Sequence, residues 1–524
     1  MHAKRWLFLI HRWLGVVLCA FFAMWFVSGV VMMYVGYPKL TEAERLQHLP
    51  PLDAAAPLLG PRQALDAAGI AGPLSELRLA AASGARAVYL ALPARKAEAG
   101  RRRPPPGSGT VVIDAETGAV LRAVDRARVL ASAQAYAGAG VPIDYHGAIG
   151  EDAFTHSRRL DGHRPLHVAD LGDAQATRLY VSGKTGEVVR DAPRAERLWN
   201  YAGAWIHWLY PLRGTALDRY WADIVNGLSI AGIAVTLTGM VVGVLRWRFR
   251  RTYRSGSHSP YQGFVMRWHH ITGLLFALVT LTWIFSGLMS MNPWRVFDSG
   301  APALRTEVMN GGALVVAAGD ATPAALLAST GAGVRELRWV RVAGQTLVLA
   351  STGTGRPLVR DAQSARPHLS DPAVLRAAVA RLLPDAIERI DVLAAYDSHY
   401  YTRGPHTMTG DTDKPLPVWR VVFADAHATW VHVDPHTGAV IGRSDDMRRL
   451  RRWLFAMLHS WDWLPLLDRR PVWDMLLVTL SLGGALLSLT GVVIGWRRLG
   501  GKLRASARKT PAPRRPAAQS RRPA

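Results

Sequence analysis

Four histidines stand at positions that recur along the chain, and their imidazoles are the side chains best suited to chemistry. His11 and His269 are 258 residues apart, and His207 and His459 are 252 residues apart. Further residues match at these two spacings, and they are Gly15/Gly273, Ser28/Ser286, Gly29/Gly287, Trp221/Trp473, Gly232/Gly484, Thr238/Thr490, Gly239/Gly491 and Gly243/Gly495. The spacing predicts an internal duplication in which each half contributes one member of each histidine pair.

Neutral imidazoles that face each other across a helix bundle suit haem, because the macrocycle fills the apolar gap and the iron takes one axial nitrogen from each side. Pseudo-symmetric packing of duplicated halves predicts that His11 approaches His269 near one membrane face. It also predicts that His207 approaches His459 near the other face. The sequence therefore predicts two haem b groups that carry electrons across the membrane. The alternative is structural, with the histidines hydrogen-bonded to carbonyl groups or lipid headgroups.

Three further side chains accompany the inner histidine pair. Arg12 and Arg267 lie next to these histidines in the sequence and are candidates for pairing with haem propionates. His270 is an alternative ligand to His269. The repeat places Arg12 rather than a histidine opposite His270, so the alignment favours His269.

Four uncharged apolar runs predict four membrane-spanning helices, because each exceeds the roughly 20 residues that cross a bilayer. They are Trp13–Val35, Ile224–Leu245, Trp268–Trp294 and Met475–Trp496. Nineteen Lys and Arg residues, with no acid among them, lie before the first run, between the second and third, and after the fourth. This asymmetry predicts cytoplasmic termini, periplasmic large segments and a bacterial inner-membrane location. It also argues against nucleic acid as the partner of this chain, whose net charge is +24.

The predicted fold class is a membrane α-helical bundle of four transmembrane helices with internal duplication, carrying two extracytoplasmic α+β domains. The predicted segments are 1–36 (transmembrane helix 1), 37–193 (first periplasmic domain), 194–246 (interfacial helix and transmembrane helix 2), 247–263 (cytoplasmic loop), 264–294 (transmembrane helix 3), 295–447 (second periplasmic domain), 448–498 (interfacial helix and transmembrane helix 4) and 499–524 (basic disordered cytoplasmic tail). Within the first domain, Tyr37–Pro61 is predicted to be a loop and Arg101–Gly109 a linker.

Several classes of function are excluded by what the sequence contains. The single cysteine, Cys19, excludes an intrachain disulfide and a four-cysteine iron–sulfur or zinc site. No Walker loop, GxGxxG turn or HExxH helix is present. The most concentrated polar and aromatic stretch outside the spans is His399-Tyr400-Tyr401, which is a candidate substrate mouth.

Four sequence segments resemble the PepSY-associated transmembrane family: the HRWLG…SG opening, WIHWLYPL, the DPHTG turn and LHSWDW…TGVVIGWRR. The resemblance implies four inner-membrane spans and periplasmic PepSY-type domains. Some relatives are haem-containing reductases of ferric siderophores, and His11, His207, His269 and His459 match the family's histidines. Fold and topology carry over from such a resemblance more directly than a substrate does.

The main hypothesis is a dihaem b oxidoreductase that reduces a periplasmic ferric siderophore or other Fe(III) chelate. The chain carries no flavin or nicotinamide motif, so we expect a separate electron donor, either quinol or a cytoplasmic reductase. One alternative is a non-enzymatic PepSY-domain regulator or sensor of periplasmic proteolysis or iron status. Another is a transporter, against which the absence of an acid within the four apolar runs argues.

Overall fold

A computed structural model describes residues 2–94, 107–404, 406–407 and 414–507. The predicted disordered tail, 499–524, is wrong for residues 499–507, which continue the last helix. The rest of that tail and residues 101–106 of the predicted linker lie outside the described range. The helices are α1 (His2–Tyr34), α2 (Glu42–His48), α3 (Pro61–Ala67), α4 (Arg126–Ala137), α5 (Arg194–Asn200), α6 (Trp221–Arg246), α7 (Phe264–Ser290), α8 (Thr306–Asn310), α9 (Pro323–Thr330), α10 (Pro372–Val379), α11 (Asp446–Arg452), α12 (Leu458–Ser460), α13 (Leu464–Leu467) and α14 (Val472–Ala507).

The strands all belong to antiparallel sheets. They are β1 (Leu74–Ser83), β2 (Arg86–Pro93), β3 (Val111–Asp114), β4 (Ile143–Ile149), β5 (Leu166–Leu171), β6 (Arg178–Ser182), β7 (Val188–Ala192), β8 (Glu336–Val342), β9 (Gln345–Ser351), β10 (Leu358–Asp361), β11 (Ile387–Leu393), β12 (Val418–Phe423), β13 (Trp430–Val433) and β14 (Val440–Ser444).

The chain divides into two compact units. The bundle unit comprises Met1–Val30, Leu212–Pro293 and Leu454–Ala524, and the sheet unit comprises Val31–Pro211 and Trp294–Trp453. The bundle unit contains the long apolar helices, and the sheet unit contains all the strands described above.

The bundle unit confirms the four predicted spans. Helices long and apolar enough to cross a membrane cover Lys4–Tyr34, Asp218–Arg246, Phe264–Ser290 and Val472–Gly501. The shortest of these has 27 residues, and at about 1.5 Å per residue it exceeds a hydrocarbon core about 30 Å thick. The bundle core contains buried side chains from all four helices: Leu18, Phe22, Phe26, Val235, Ile284 and Ala485.

The described residues of the sheet unit form two four-stranded sheets and one six-stranded sheet. The four-stranded sheets have the orders β4-β5-β6-β7 and β11-β12-β13-β14. The six-stranded sheet has the order β10-β9-β8-β1-β2-β3, and β1 pairs with β8 so that Leu77 lies opposite Trp339. One sheet therefore joins the two segments that the sequence analysis treats as separate periplasmic domains. The two four-stranded sheets have corresponding strand orders, which agrees with an internal duplication of the chain. The duplication itself stays a prediction.

One prediction within the sheet unit is wrong. The segment Tyr37–Pro61, predicted to be a loop because of its prolines, contains helix α2. A capping box begins this helix, because the Thr41 hydroxyl accepts from the backbone N–H of Glu44 while the Glu44 side chain accepts from the backbone N–H of Thr41. The two reciprocal hydrogen bonds satisfy amides that would otherwise lack partners at a helix start.

A buried ion network lies where the two halves of the six-stranded sheet meet. Glu336 on β8 is 1% exposed and contacts Arg45 at 2.7 Å and Arg78 at 3.2 Å. Arg78 on β1 also contacts Glu187 at 3.1 Å. These arginines, with Arg338, hold the pKa of Glu336 at about 2 against the opposing effect of burial. Removing a single member would leave an uncompensated buried charge.

His406 links two helices of the sheet unit through carboxylates. Its Nδ1 lies 3.1 Å from Glu196 on α5, and its Nε2 contacts Glu44 on α2. Hydrogen bonds to Glu196 and Glu44 raise the pKa of His406 to about 10, so the ring is protonated at neutral pH. Its side chain is 39% exposed, so solvent screens much of this attraction.

Candidate functional site

The inner histidines meet inside the bundle, as the repeat predicts. His11 on α1 and His269 on α7 have ring centroids 6.3 Å apart with an angle of 36° between the ring planes. The two residues lie on different helices and are both partly buried. The predicted proximity of His11 and His269 is therefore confirmed. Their role as a pair of metal ligands stays a prediction.

Each ring of the inner pair is oriented by a backbone carbonyl of a neighbouring span. His11 Nδ1 lies 3.1 Å from the carbonyl oxygen of Val235 on α6, and His269 Nδ1 lies 3.3 Å from that of Leu487 on α14. Val235 and Leu487 are 252 residues apart, so they are matched at the spacing of the second repeat. The two halves of the chain thus hold their inner histidines by the same contact.

These contacts determine which nitrogen carries the proton. A carbonyl oxygen can only accept, so Nδ1 of each ring is the N–H donor. Thr490 agrees with this assignment, because its hydroxyl donates to the carbonyl oxygen of Leu487 at 2.7 Å and lies 3.1 Å from His269 Nδ1. A neutral imidazole with its proton on Nδ1 has its lone pair on Nε2. Histidines that bind metals show this same arrangement, with the other ring nitrogen donating to a carbonyl or similar acceptor.

The separation of the rings fits a shared metal ion. A metal bound about 2.0 Å from one nitrogen of each imidazole places the two ring centroids roughly 6 Å apart. The observed separation is 6.3 Å, and neither Nε2 makes a hydrogen bond within the part of the chain that the structure describes. The residues of this site therefore fit the two axial positions of a haem iron.

Two matched glycines allow the spans to approach these rings. A Cβ atom on Gly239 of α6 would lie 2.7 Å from Cε1 of His11 and 3.0 Å from its Nδ1. A Cβ atom on Gly491 of α14 would lie 2.3 Å from the Cys19 sulfur and 3.4 Å from Cε1 of His269. A side chain at position 239 would therefore displace the His11 ring, and one at position 491 would displace Cys19 beside His269.

His270, the alternative ligand, uses both ring nitrogens within the protein. Its Nε2 lies 2.9 Å from the carbonyl oxygen of Gly243, and its Nδ1 lies 2.8 Å from the Ser259 hydroxyl. Both His270 and Ser259 are buried, at 7% and 1% exposure. The ring therefore ties the connection between α6 and α7 to the bundle, and the geometry favours His269 as the ligand.

The candidate propionate partners are accessible. Arg12 and Arg267 are both exposed on their helices, and neither makes an ion pair among the described residues. Each is within two residues of an inner histidine in the sequence. Their pairing with propionates stays a prediction.

The outer histidine of the bundle unit is oriented in the same way as the inner pair. His459 on α12 has Nδ1 3.0 Å from the hydroxyl of Ser286 on α7. That hydroxyl donates to the carbonyl oxygen of Trp283, so it accepts the proton of His459 Nδ1. Trp473, which is 1% exposed, donates its indole N–H to the carbonyl oxygen of Ser460 and holds the segment next to His459. A neutral His459 ring therefore also has its lone pair on Nε2.

His207 belongs to the sheet unit, whereas His459 belongs to the bundle unit. It is half-buried in a segment that begins with α5 and continues through a π-helical turn at Tyr201–Trp205. Gly203 within this turn has non-helical backbone angles, φ −101° and ψ −110°. The predicted pairing of His207 with His459 stays a prediction.

The two histidine levels of the bundle are far apart along α7. Seventeen residues separate His269 from Ser286, which is about 25 Å at 1.5 Å per residue. Aromatic side chains pack between these levels: Phe21, Phe22, Trp25, Phe26 and Trp283. Successive ring centroids lie close together, with 6.2 Å from Phe22 to Trp25 and 5.7 Å from Phe26 to Trp283.

The predicted substrate mouth forms part of a larger cationic and aromatic cluster in the sheet unit. His399 contacts Trp430 edge-on at 5.4 Å, and Tyr400 stacks on His432 at 4.7 Å. Tyr401 accepts a hydrogen bond from Arg452 at 2.6 Å. The sequence pattern predicts the three consecutive residues but does not indicate the residues from β12, β13 and α11 that surround them.

The contacts of the residues that orient the inner histidine pair are likewise not predicted from the sequence. Gly239, Gly491 and Thr490 appear in the repeat only as matched positions, and Val235 and Leu487 do not appear at all. The signal was available, because all of them obey the 252-residue spacing. Their contact with a histidine depends on how α6 and α14 rotate against α1 and α7, which the repeat alone does not specify.

The bundle and the sheets together define an integral membrane protein with an α+β extramembrane part. A family model of the PepSY-associated TM region matches residues 8–332, more than half of the 524-residue chain. The chain belongs to this PepSY-associated transmembrane family. No curated protein matches the chain.

Proposed function

We propose that this membrane protein is an inner-membrane haem b oxidoreductase that reduces a ferric siderophore or another Fe(III) chelate outside the cytoplasm. The observation that carries the proposal is the inner histidine pair, with ring centroids 6.3 Å apart and both Nδ1 atoms directed at carbonyl oxygens. A second haem, for which His207 and His459 stay the predicted ligands, completes the proposal. Bound haem iron supplies a one-electron couple between Fe(III) and Fe(II).

The chain's own residues hold and orient these ligands. His11 and His269 would hold a haem iron through Nε2, since Val235 and Leu487 accept their Nδ1 protons. Acceptors of this kind fix the ring orientation and raise the basicity of the ligand. The surrounding apolar spans exclude water, which favours the neutral imidazoles that metal binding requires.

The distance between the two levels supports transfer across the bilayer. The separation of about 25 Å along α7 between His269 and Ser286 supports one site near each face of a core about 30 Å thick. The aromatic residues between them keep this path dry and closely packed. Exposed Arg12 and Arg267 would bind the propionates of the inner haem.

The distribution of charge supports the direction of transfer. Basic stretches lie before the first span, between the second and third, and after the fourth, which supports an inner pair near the cytoplasm and a sheet unit in the periplasm. Electrons would enter from quinol or a cytoplasmic reductase and leave towards the chelate. Reduction to Fe(II) weakens binding by hard oxygen ligands and thus releases the metal.

Anaerobic stopped-flow measurements on the purified, reduced protein test this function. Mixing with an Fe(III) chelate is expected to oxidise the haem and form one Fe(II) per haem oxidised, trapped by a colorimetric Fe(II) chelator. The variant His459→Ala is expected to form Fe(II) far more slowly. The control variant His427→Ala changes a histidine whose ring makes no hydrogen bond or ion pair among the described residues, and it should behave as the wild type.

Two outcomes would refute the proposal. A purified protein that contains no haem would favour the hypothesis of a PepSY-domain regulator. A protein with two haems that never reduces an Fe(III) chelate is not a ferric reductase.

A further inference from the structure

The two four-stranded sheets have the same register but differ sharply at one cross-strand pair. In the first sheet Val168 on β5 lies opposite Tyr180 on β6. In the second sheet the residues 252 positions later, Arg420 on β12 and His432 on β13, lie opposite each other. The first pair belongs to an apolar core with Phe154. The second pair consists of a cation and an imidazole. Burial of such polar groups is not required for the stability of the sheet, because the first sheet has an apolar core at the same position.

Arg420 is a buried cation with a spare donor. It is 7% exposed; its Nη1 lies 2.6 Å from Asp397, and its Nε donates to His432 Nε2 at 3.0 Å. Burial, together with Arg420, lowers the pKa of His432 to about 4, so the ring is neutral and accepts. Nη2 of Arg420 is buried and has no partner within the described residues. A buried donor of this kind is unfavourable unless a ligand accepts from it.

Two guanidinium groups lie against the Trp430 ring. The guanidinium carbon of Arg420 lies 4.7 Å from the Trp430 ring centroid, and that of Arg449 lies 4.3 Å from it. His399 contacts the same ring. Trp430, Arg449 and His399 are all half-buried, so part of each side chain is accessible to a ligand.

Further cations stack on neighbouring rings. Arg452 lies 4.4 Å and Lys414 5.2 Å from the Tyr401 ring centroid. Burial lowers the pKa of Arg452 to about 10, and it holds the pKa of Arg449 below its ordinary value although Asp446 and Asp445 lie nearby. These guanidinium groups are thus poorly solvated, and an anion placed beside them interacts more strongly than it would in water.

We propose that this cluster, built on Arg420, Trp430, Arg449 and His399, binds an anionic catecholate chelate. The deprotonated catechol oxygens accept from the half-buried Arg449, and the buried guanidinium group of Arg420 stabilises their negative charge. A neutral or cationic hydroxamate chelate lacks the negative charge that these cations favour. That the bound chelate carries reducible Fe(III) rests on the proposed function above.

A gallium(III) tris-catecholate tests the site without any redox chemistry, because Ga(III) is not reduced to a divalent ion under these conditions. Binding to the purified full-length protein is followed by quenching of tryptophan fluorescence and by calorimetry. We expect saturable binding that weakens as salt rises from about 0.05 to 0.5 M. The variant Arg449→Gln should weaken it about tenfold, because it removes one charge-assisted contact.

A matched pair of variants controls for folding and for net charge. Arg448→Gln removes a charge from the same helix at a side chain that is 60% exposed, and it should change the affinity less than about twofold. Arg449→Lys retains the charge and should recover part of the affinity. Thermal unfolding of each variant establishes that the fold persists.

Equal losses in Arg449→Gln and Arg448→Gln would overturn the proposed site. So would equal affinity for a cationic gallium hydroxamate. In either case haem content and Fe(III) reduction, measured separately, show whether the proposed function still holds. A protein that lacks haem but keeps binding that depends on Arg449 would retain the site and lose the reductase function.

Discussion

Replacing Gly239 by alanine places a methyl group against the inner histidine pair. The new Cβ would lie 2.7 Å from Cε1 of His11, whereas ordinary van der Waals contact begins at 3.4 Å. The His11 ring must therefore move by about 0.7 Å, because it is the group that the new methyl carbon meets. Metal–nitrogen bonds tolerate deviations of only about 0.2 Å, so the displaced Nε2 would bind a haem iron poorly.

The fold itself should survive this substitution. Overpacking of this size destabilises by about 1–3 kcal/mol, and alanine in place of a helical glycine recovers about 0.5–1 kcal/mol. We expect Gly239→Ala to be produced in normal amounts but to lose the low-spin signature of one haem, and with it up to one haem per chain. The assay is the visible spectrum of the purified protein together with its haem content.

Gly15→Ala is the matched control. Gly15 lies one turn from His11 on the same helix, and its Cβ would lie 3.8 Å from the nearest atom, a methyl carbon of Val235. This variant should keep the wild-type spectrum. An unchanged low-spin spectrum in Gly239→Ala, with full haem content, would refute the assignment of His11 as an axial ligand.

Three further substitutions have distinct expected results. Thr490→Val removes one acceptor from the ligand ring of the inner pair, which lowers its basicity and should raise the midpoint potential of one haem by about 20–60 mV. Glu336→Gln leaves buried arginines uncompensated and should lower the free energy of unfolding by about 3 kcal/mol in urea titrations followed by tryptophan fluorescence. His406→Gln should remove about 1 kcal/mol of pH-dependent stability. Contacts with Glu196 and Glu44 raise the pKa of His406 from 6.5 to about 10. Its protonated ring therefore stabilises the fold fully below pH 6.5 and progressively less as the pH rises to about 10.

Each of these three has a matched control. Thr490→Ser keeps the hydroxyl and should leave the potential nearly unchanged, and equal shifts in both variants would contradict the role of the hydrogen bond. Glu76→Gln changes a carboxylate that is 44% exposed and should cost less than about 1 kcal/mol; a similar loss in both would contradict the importance of burial. His427→Gln should keep the pH dependence of the wild type, and a His406→Gln variant that also keeps it would show that His406 does not cause it.

The sequence predicts the membrane part of this fold well because its signals are local. Each span is an uninterrupted apolar run, and a bilayer requires such a run to be helical. The pairing of His11 with His269 was also predictable, since duplicated helices pack about a common axis and bring matched positions together.

The architecture of the sheet unit was less predictable because it depends on contacts between distant segments. The pairing of Leu77 with Trp339 joins strands from the two halves of the chain, and neither strand has a sequence feature that identifies its partner strand. Helix α2 did carry a local signal, the Thr41–Glu44 capping box, which the surrounding prolines obscured.

The cationic cluster was missed for a different reason. Arg420 interrupts the buried strand β12, in which every residue is buried, so it stands where pattern analysis expects an apolar side chain. The sequence shows this interruption. It does not show that Arg420 contacts Asp397, His432 and Trp430, because these residues lie on other segments of the chain.

The reduced-minus-oxidised visible spectrum of the detergent-purified protein, with a pyridine haemochrome count, shows whether the histidine pairs hold haem. We expect two haems b per chain with sharp low-spin bands, and one haem fewer in His269→Ala. A protein expressed with ample haem that binds none would refute haem ligation by these histidines.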